Sequence, residues 1–179
     1  MLNPTSKKCL FLLGILHCTD KETLSKYGIG RRTLANLISD KLIKKDKLII
    51  NNNSYTIYYL TGSGIKLFKK HYRNYDIGNS CSMVHDYIHS KNVLSFITSF
   101  DDLYSYTNEK AIRKKYKEKI TLCEIEKGIS IGCPDCSLII EGKEVFIETL
   151  VTNGKDKRIK KENFKYVIED DNELIIFKF

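Results

Sequence analysis

The chain has no tryptophan, only two prolines in 179 residues, and no apolar run long enough to cross a bilayer. Few prolines, with 42% hydrophobic and 29% charged residues, exclude a low-complexity or disordered protein and fit one ordinary domain or two small ones. The most apolar stretch, CLFLLGILHC at 9–18, follows two lysines and has the outline of a secretory signal. It is too short to span a membrane and lacks a small-x-small cleavage site, so it reads as a buried first helix. Six cysteines at irregular spacing make no disulfide framework and are read as free thiols in a reducing cytoplasm. Acidic residues are scarce in one part only. Residues 1–75 hold 4 Asp/Glu against 14 Lys/Arg, a net of +10, whereas residues 76–179 hold 18 against 16, a net of −2. The first part has the charge of a polyanion binder and the second does not.

Helical spacing of Leu10, Phe11, Leu13 and Leu16 predicts a first helix over 6–18. In TDKETLSKYG (19–28), Thr19 stands three residues before Glu22 as in a capping box, and Gly28 supplies a stop. A third helix over 30–41 turns Leu34, Leu37 and Ile38 inward. Arg31, Arg32, Thr33 and Asn36 are left on an outer, basic leading face, as in a helix-turn-helix. Two β runs, 47–50 and 55–60, then flank an Asn-rich turn at 51–54, and LTGSGIKLFKKH opens a further helix.

Three helices, a hairpin and a helix in this order resemble the winged-helix DNA-binding domain over about residues 5–73, including the YYLTGSGIKLF ending. The resemblance implies that helix 30–41 enters a major groove. Arg31 and Arg32 would pair with guanine or phosphate, with Thr33 beside them, and Asn36 would read adenine. Lys44, Lys45 and Lys47 would sit on phosphates, and the tip at Asn52 and Asn53 would reach the adjacent minor groove. A winged helix used for protein contacts is the bland alternative, and the +10 charge argues against it.

A polar stretch at 73–81 reads as the linker, setting domains at 1–75 and 76–179. Helix-like spacing over 83–100 places Val84, Tyr87, Ile88, Val93, Leu94 and Ile97 near one face. His85 and His89 lie four apart there, but with no Glu beside His85 the spacing favours packing histidines over a metal pair. Asn108 is a cap and Glu109 a first-turn acid for a helix carrying Arg113, Lys114, Lys115 and Lys117. Asp135 then opens CSLII, Glu141-Gly142 turns the chain, and KEVFIETLV returns with Phe146, Glu148 and Leu150 on one face. Such a hairpin brings Asp135 and Glu148 together, and two carboxylates suit Mg²⁺, which prefers oxygen ligands.

Pro134-Asp135 and Glu148-Thr149-Leu150 resemble the PD-(D/E)XK nuclease superfamily. With His85-Asp86, the NEKAIRKKY helix and the basic run through Arg158, the layout resembles the replication-relaxation proteins of plasmids and conjugative elements. That likeness implies an α/β (α+β) chain: a winged helix followed by a small nuclease-like domain, acting as an accessory or regulatory DNA-binding protein of a mobile element. An active member would have lysine where Leu150 stands, so the expectation is a domain that does not cut. Lys155, Lys157 and Lys160 are the candidates to replace the missing lysine, and Glu109 is the candidate helix carboxylate. If the site is live, Asp135 and Glu148 are its metal ligands and Mg²⁺ its cofactor; otherwise none is called for. Cys133-Pro-Asp-Cys136 looks like one knuckle of a zinc ribbon but lacks a second pair, Cys81 and Cys123 being isolated. Expected partners are double-stranded DNA, then relaxase or replication proteins and a second copy of the chain, with no membrane. A divalent-metal endonuclease and a repressor with a sensing or dimerising second domain are the rival functions.

Overall fold

A computed structural model describes residues 2–75, 77, 82–97, 99–151, 154–168 and 171–178. The chain is α+β with two sheets, and it divides into two compact units, Met1–Ser95 and Phe96–Phe179. The division falls some twenty residues after the sequence boundary at 75/76, because the helix following the linker packs with the first unit. Much of the linker expected at 73–81, with Cys81, lies outside the described residues.

In the first unit, α1 (Pro4–Leu16) is capped by the Asn3 side chain, which accepts from the Ser6 N–H at 2.7 Å. It is apolar all round because the unit packs all round it: Cys9, Leu10, Phe11, Leu12, Leu13, Ile15 and Leu16 are each no more than 1% exposed. At Gly14 a Cβ would lie 2.2 Å from the Phe68 ring, so only glycine lets α4 (Gly62–His71) sit this close. Strand β1 (Cys18–Asp20) leads into α2 (Lys21–Lys26) and α3 (Arg31–Ser39). The cap of α2 is Asp20, accepting from the Thr23 N–H at 2.8 Å, and not the expected Thr19. Thr19 is taken up by the sheet, where it lies opposite Tyr58. Strands β2 (Ile43–Ile50) and β3 (Asn53–Leu60) are longer than the apolar runs alone implied. Between them Asn51 and Asn52 both have positive φ, 49° and 63°, as a two-residue type I′ hairpin demands. The sheet runs β1-β3-β2, antiparallel throughout.

Helix α5 (Met83–Phe96) is fastened to α2 at both ends. The Tyr87 hydroxyl donates to Asp20 Oδ2 at 2.6 Å, and the Tyr27 hydroxyl donates to the Leu94 carbonyl at 2.9 Å. Lys91 stands 3.5 Å from Asp20 Oδ2 and lies over the Tyr87 and Tyr55 rings. Desolvation pushes the Asp20 carboxyl up, but these bonds outweigh it and hold it below its ordinary pKa.

The second unit is a four-stranded sheet, β4-β5-β6-β7; its Phe146 face packs against helices, and Val145, Ile147 and Thr149 on the other face are buried as well. Strand β4 (Thr107–Asn108) is followed by α6 (Glu109–Lys115), with Asn108 as its side-chain cap, and by α7 (Lys117–Lys127). β5 (Cys136–Ile140) and β6 (Lys143–Leu150) form the expected hairpin, turning on Glu141 and Gly142 with φ 52° and 81°. Helix α8 (Lys155–Glu162) then crosses back so that β7 (Glu173–Lys178) lies parallel to β6. Phe146 meets Phe164 and Tyr116 edge-on, with centroids 5.1 and 5.7 Å away, and these rings centre the core between sheet and helices.

The Tyr87–Asp20 bond is expected to anchor α5. Changing Tyr87 to Phe removes a buried bond to a charged acceptor, at a cost of roughly 1.5–3 kcal/mol. Urea unfolding of the full chain measures it, and an unchanged transition would show that the bond contributes nothing.

Candidate nucleic-acid interface and carboxylate–lysine site

On the first unit, α3 buries Leu34 and Leu37 at 3% and 1% exposure and leaves Arg31, Arg32 and Asn36 in solvent, with Thr33 half-buried. Gly30 caps this helix without a side-chain bond, so its first N–H groups have no side-chain cap. Lys44, Lys45 and Lys47 are exposed along β2, Lys44 resting 4.8 Å from the Tyr59 ring centre. Asn52 and Asn53 are exposed at the hairpin tip. All nine residues anticipated for DNA contact therefore belong to one unit and present polar or basic groups to solvent, Thr33 only in part. His85 and His89, on α5, stack on each other at 6.2 Å between ring centres.

In the second unit the site begins with strand alternation. Glu148 follows Phe146 by two residues, so it points to the same helix-covered face and is only 3% exposed. Its Oε2 accepts from the Asp135 N–H at 3.1 Å. Asp135 is half-buried at the mouth of β5, and its Oδ2 accepts from the Thr149 N–H at 2.9 Å. The hairpin thus brings the two carboxylates together as its sequence implied, each holding the other's strand.

The structure supplies a lysine that sequence reasoning missed. Lys155, Lys157 and Lys160 are exposed on α8, while Lys161 turns inward, its Nζ 3.0 Å from Glu148 Oε2 and bonded to the Cys133 carbonyl. Gly132 lies against this part of α8. Its N–H donates to the Lys160 carbonyl at 2.7 Å, and a Cβ there would stand 3.1 Å from Lys161 Cδ. The signal was present in KDKRIKKENF: Phe164 is a core residue, and a helix places Lys161 on its side.

Burial and the Asp135 charge raise the Glu148 pKa to about 8, against the pull of Lys161. Burial lowers Lys161, but Glu148, Asp135 and Glu109 more than offset it, and the ammonium is held above its ordinary range. Glu109 stands near enough to act on Lys161 by charge, although its own carboxylate pairs with Arg113 at 2.8 Å. α6 is pinned by its far end, where Glu144 accepts from Lys115 at 2.6 Å and from the Tyr116 hydroxyl at 2.7 Å. Cys133 and Cys136 are buried free thiols whose pKa values burial pushes up.

Among the described residues no group of three or more His, Cys, Asp or Glu side chains is arranged to hold a metal ion. Asp135 and Glu148 supply oxygen donors of the kind Mg²⁺ or Mn²⁺ takes, a pair with Glu148 Oε2 already engaged by Lys161 and the Asp135 N–H.

No protein-family model matches the chain. No curated protein matches it either. Among solved structures it is similar to the type III secretion system protein EscJ of enteropathogenic E. coli, at 10% identity over 93% of this chain and 96% of that one. The TM-score is 0.17, which bears on neither fold nor function.

Proposed function

We propose that the chain binds double-stranded DNA through a winged helix in its first unit and carries in its second unit a nuclease-type site in which Lys161 replaces the lysine absent at position 150. The observation that carries this reading is the Lys161 ammonium 3.0 Å from Glu148 Oε2, beside Asp135. It moves the weight from a scaffold that does not cut towards a divalent-metal-dependent DNA nuclease of the PD-(D/E)XK kind. The setting remains the one the resemblance to replication-relaxation proteins implies, DNA of a plasmid or other mobile element.

In the DNA-binding step, α3 lies in the major groove with Arg31, Arg32 and Asn36 on base edges or phosphates. The β2–β3 hairpin lays Lys44, Lys45 and Lys47 on the backbone. At the second site a bound divalent ion would polarise the scissile phosphate and lower the pKa of a coordinated water. Asp135 and Glu148 are the residues that would hold it. Lys161 positions the water and places positive charge where negative charge develops on the phosphate oxygens. An ammonium already desolvated and fixed by Glu148 and the Cys133 carbonyl needs little reorganisation to do so.

A second reading, an accessory protein that binds without cutting, is favoured by the 3% exposure of Glu148, beside an Asp135 that is itself half-buried. A cleavage assay with supercoiled DNA in Mn²⁺ and Mg²⁺ separates the two. Nicking is expected, and Asp135→Asn should abolish it. Lys161→Met should slow it on the order of 10²–10³-fold, the usual cost of losing one electrostatic donor. DNA binding with no nicking by the wild type would leave the accessory reading standing.

Binding itself is expected to respond to two classes of change. Arg31→Ala and Arg32→Ala should each weaken specific binding by about 1–3 kcal/mol where the arginine pairs bidentately with a base. Lys44→Ala with Lys45→Ala should weaken all sequences alike and flatten the salt dependence. Gel-shift titrations at several salt concentrations check both, and indifference of every duplex to the arginine changes would refute recognition through α3.

The site should also titrate. Glu148 must lose its proton to bind a cation, so Mn²⁺ affinity should climb as pH rises towards about 8 and then level. A carboxyl whose pKa is raised on folding contributes stability below its unfolded value and loses it as pH rises through the folded one. For this group alone, the metal-free protein should therefore lose stability over that window, and Glu148→Gln should remove the trend. Calorimetric titration of Mn²⁺ and thermal unfolding at several pH values measure the two effects.

A further inference from the structure

Helix α8 runs on into a short 3₁₀ turn, Asn163–Tyr166, that is held from within. Phe164 and Val167 enter the core at 0% and 4% exposure, which turns their neighbours out: Lys165 is exposed, and Tyr166 keeps 47% of its surface in solvent. The backbone is seated on α7, where the Cys123 thiol donates to the Tyr166 carbonyl at 3.6 Å. One turn beyond Cys123, the exposed Lys127 reaches the same ring. Its Nζ lies 4.7 Å from the ring centre, and that of Lys165 lies 5.0 Å from it. Among the described residues neither ammonium makes an ion pair, and the Tyr166 hydroxyl makes no hydrogen bond. Tyr116 shows the contrast, a buried ring whose Lys115 is neutralised by Glu144. Each lysine gains a little from the Tyr166 ring and repels the other, so the group lacks an anion.

We infer that Tyr166, Lys127 and Lys165 form a seat for single-stranded DNA, in which an unpaired base stacks on the ring and its phosphates take the two ammonium groups. An exposed ring among cations suits a single strand, because every base has a π-face and phosphates on either side of it. The lysines are long and exposed, so an ammonium leaves the ring for a phosphate as the base takes its place. A duplex is not the ligand, since paired bases hide their faces in the stack. An acidic protein segment would satisfy the lysines and leave the ring unused. The choice of DNA rests on the function proposed above, to which the seat adds a substrate class. Tyr166 stands five residues beyond Lys161 on continuous helix, a rise of roughly 8–10 Å, or two to three nucleotides of a stacked strand. Between them the segment alongside is tied down, Asn163 donating to the Ser130 carbonyl at 3.1 Å and Gly132 to that of Lys160 at 2.7 Å. A duplex with an unpaired tail or gap would offer each unit its own ligand.

Fluorescence anisotropy of the full chain with labelled oligo-dT tests this. Wild-type protein should bind it, and Tyr166→Ala should weaken binding on the order of tenfold, the usual effect of losing one stacked base. Tyr166→Phe and Tyr166→Trp should keep it, since the ring and not the hydroxyl is used. Lys127→Gln with Lys165→Gln should lower the salt slope by about 1.4, two phosphate contacts on a single strand. None of these changes should alter duplex binding, and Arg31→Ala with Arg32→Ala should leave oligo-dT binding as it is. Absence of oligo-dT binding would overturn the inference, as would indifference to Tyr166→Ala. So would competition by polyglutamate as effective as by unlabelled oligo-dT, which marks a surface that reads charge alone, and so would tighter binding of oligo-U. Nicking is read separately. A chain that cuts but ignores Tyr166→Ala loses only this seat, and one that holds oligo-dT through Tyr166 without cutting loses only the nuclease reading.

Discussion

The second unit is arranged around one buried carboxylate. Glu148 sits two residues beyond Phe146 on the same face of β6, and so under the helices, where an isolated charge would be prohibitively costly. Lys161 offsets that cost because α8 comes close enough, with the Gly132 N–H bonded to the Lys160 carbonyl at its side. The Asp135 N–H gives the carboxylate another partner, and Asp135 returns a bond to Thr149. Removing any of these groups leaves a charge or a backbone donor stranded in the core. The register of the hairpin and the seat of the crossover helix are therefore fixed by the same few atoms.

Asp20 does comparable work in the first unit. One oxygen caps α2 and the other takes the Tyr87 hydroxyl, with Lys91 beside it. A single carboxylate thus ties the helix preceding α3 to the helix closing the unit. The exposed arginines of α3 stand on a frame held by this bond and by the apolar α1, the rigid support that the proposed groove-reading role would need.

What the sequence made legible follows its short-range physics. The α3 face, the caps at Asn108 and Gly28, and the two hairpins depend on spacing and turn chemistry within a few residues. Thr19 failed as a cap because a partner about forty residues away claimed it for the sheet, and local pattern contains no trace of such a claim. The boundary at 75/76 failed to foresee that α5 packs with the first unit, for the same reason: Tyr87 and Asp20 are distant in sequence. Lys161 was within reach, since Phe164 three residues on marks the inward side of α8. It was overlooked because the familiar motif asks for a lysine beside Glu148 on the strand. A cation can reach a carboxylate from any element that packs over it, and spacing along one strand does not test that.

The Glu148–Lys161 pair is also a poor choice if folding were its only purpose. A desolvated ion pair commonly gives no more stability than a well-packed apolar pair of the same volume, and replacing such a pair is often stabilising by roughly 1–4 kcal/mol. The neighbouring residues show what that alternative would look like: Phe146, Phe164 and Tyr116 fill the same layer with rings packed edge-on. Adding Asp135 beside Glu148 makes matters worse, since it raises the cost of ionising Glu148 where burial has already raised it. A second ammonium or a divalent cation is the natural relief for two carboxylates and one lysine crowded at the rim of a core. Local conflict of this kind, in a unit whose turns and caps otherwise agree with its fold, is what the proposed site would be expected to leave behind.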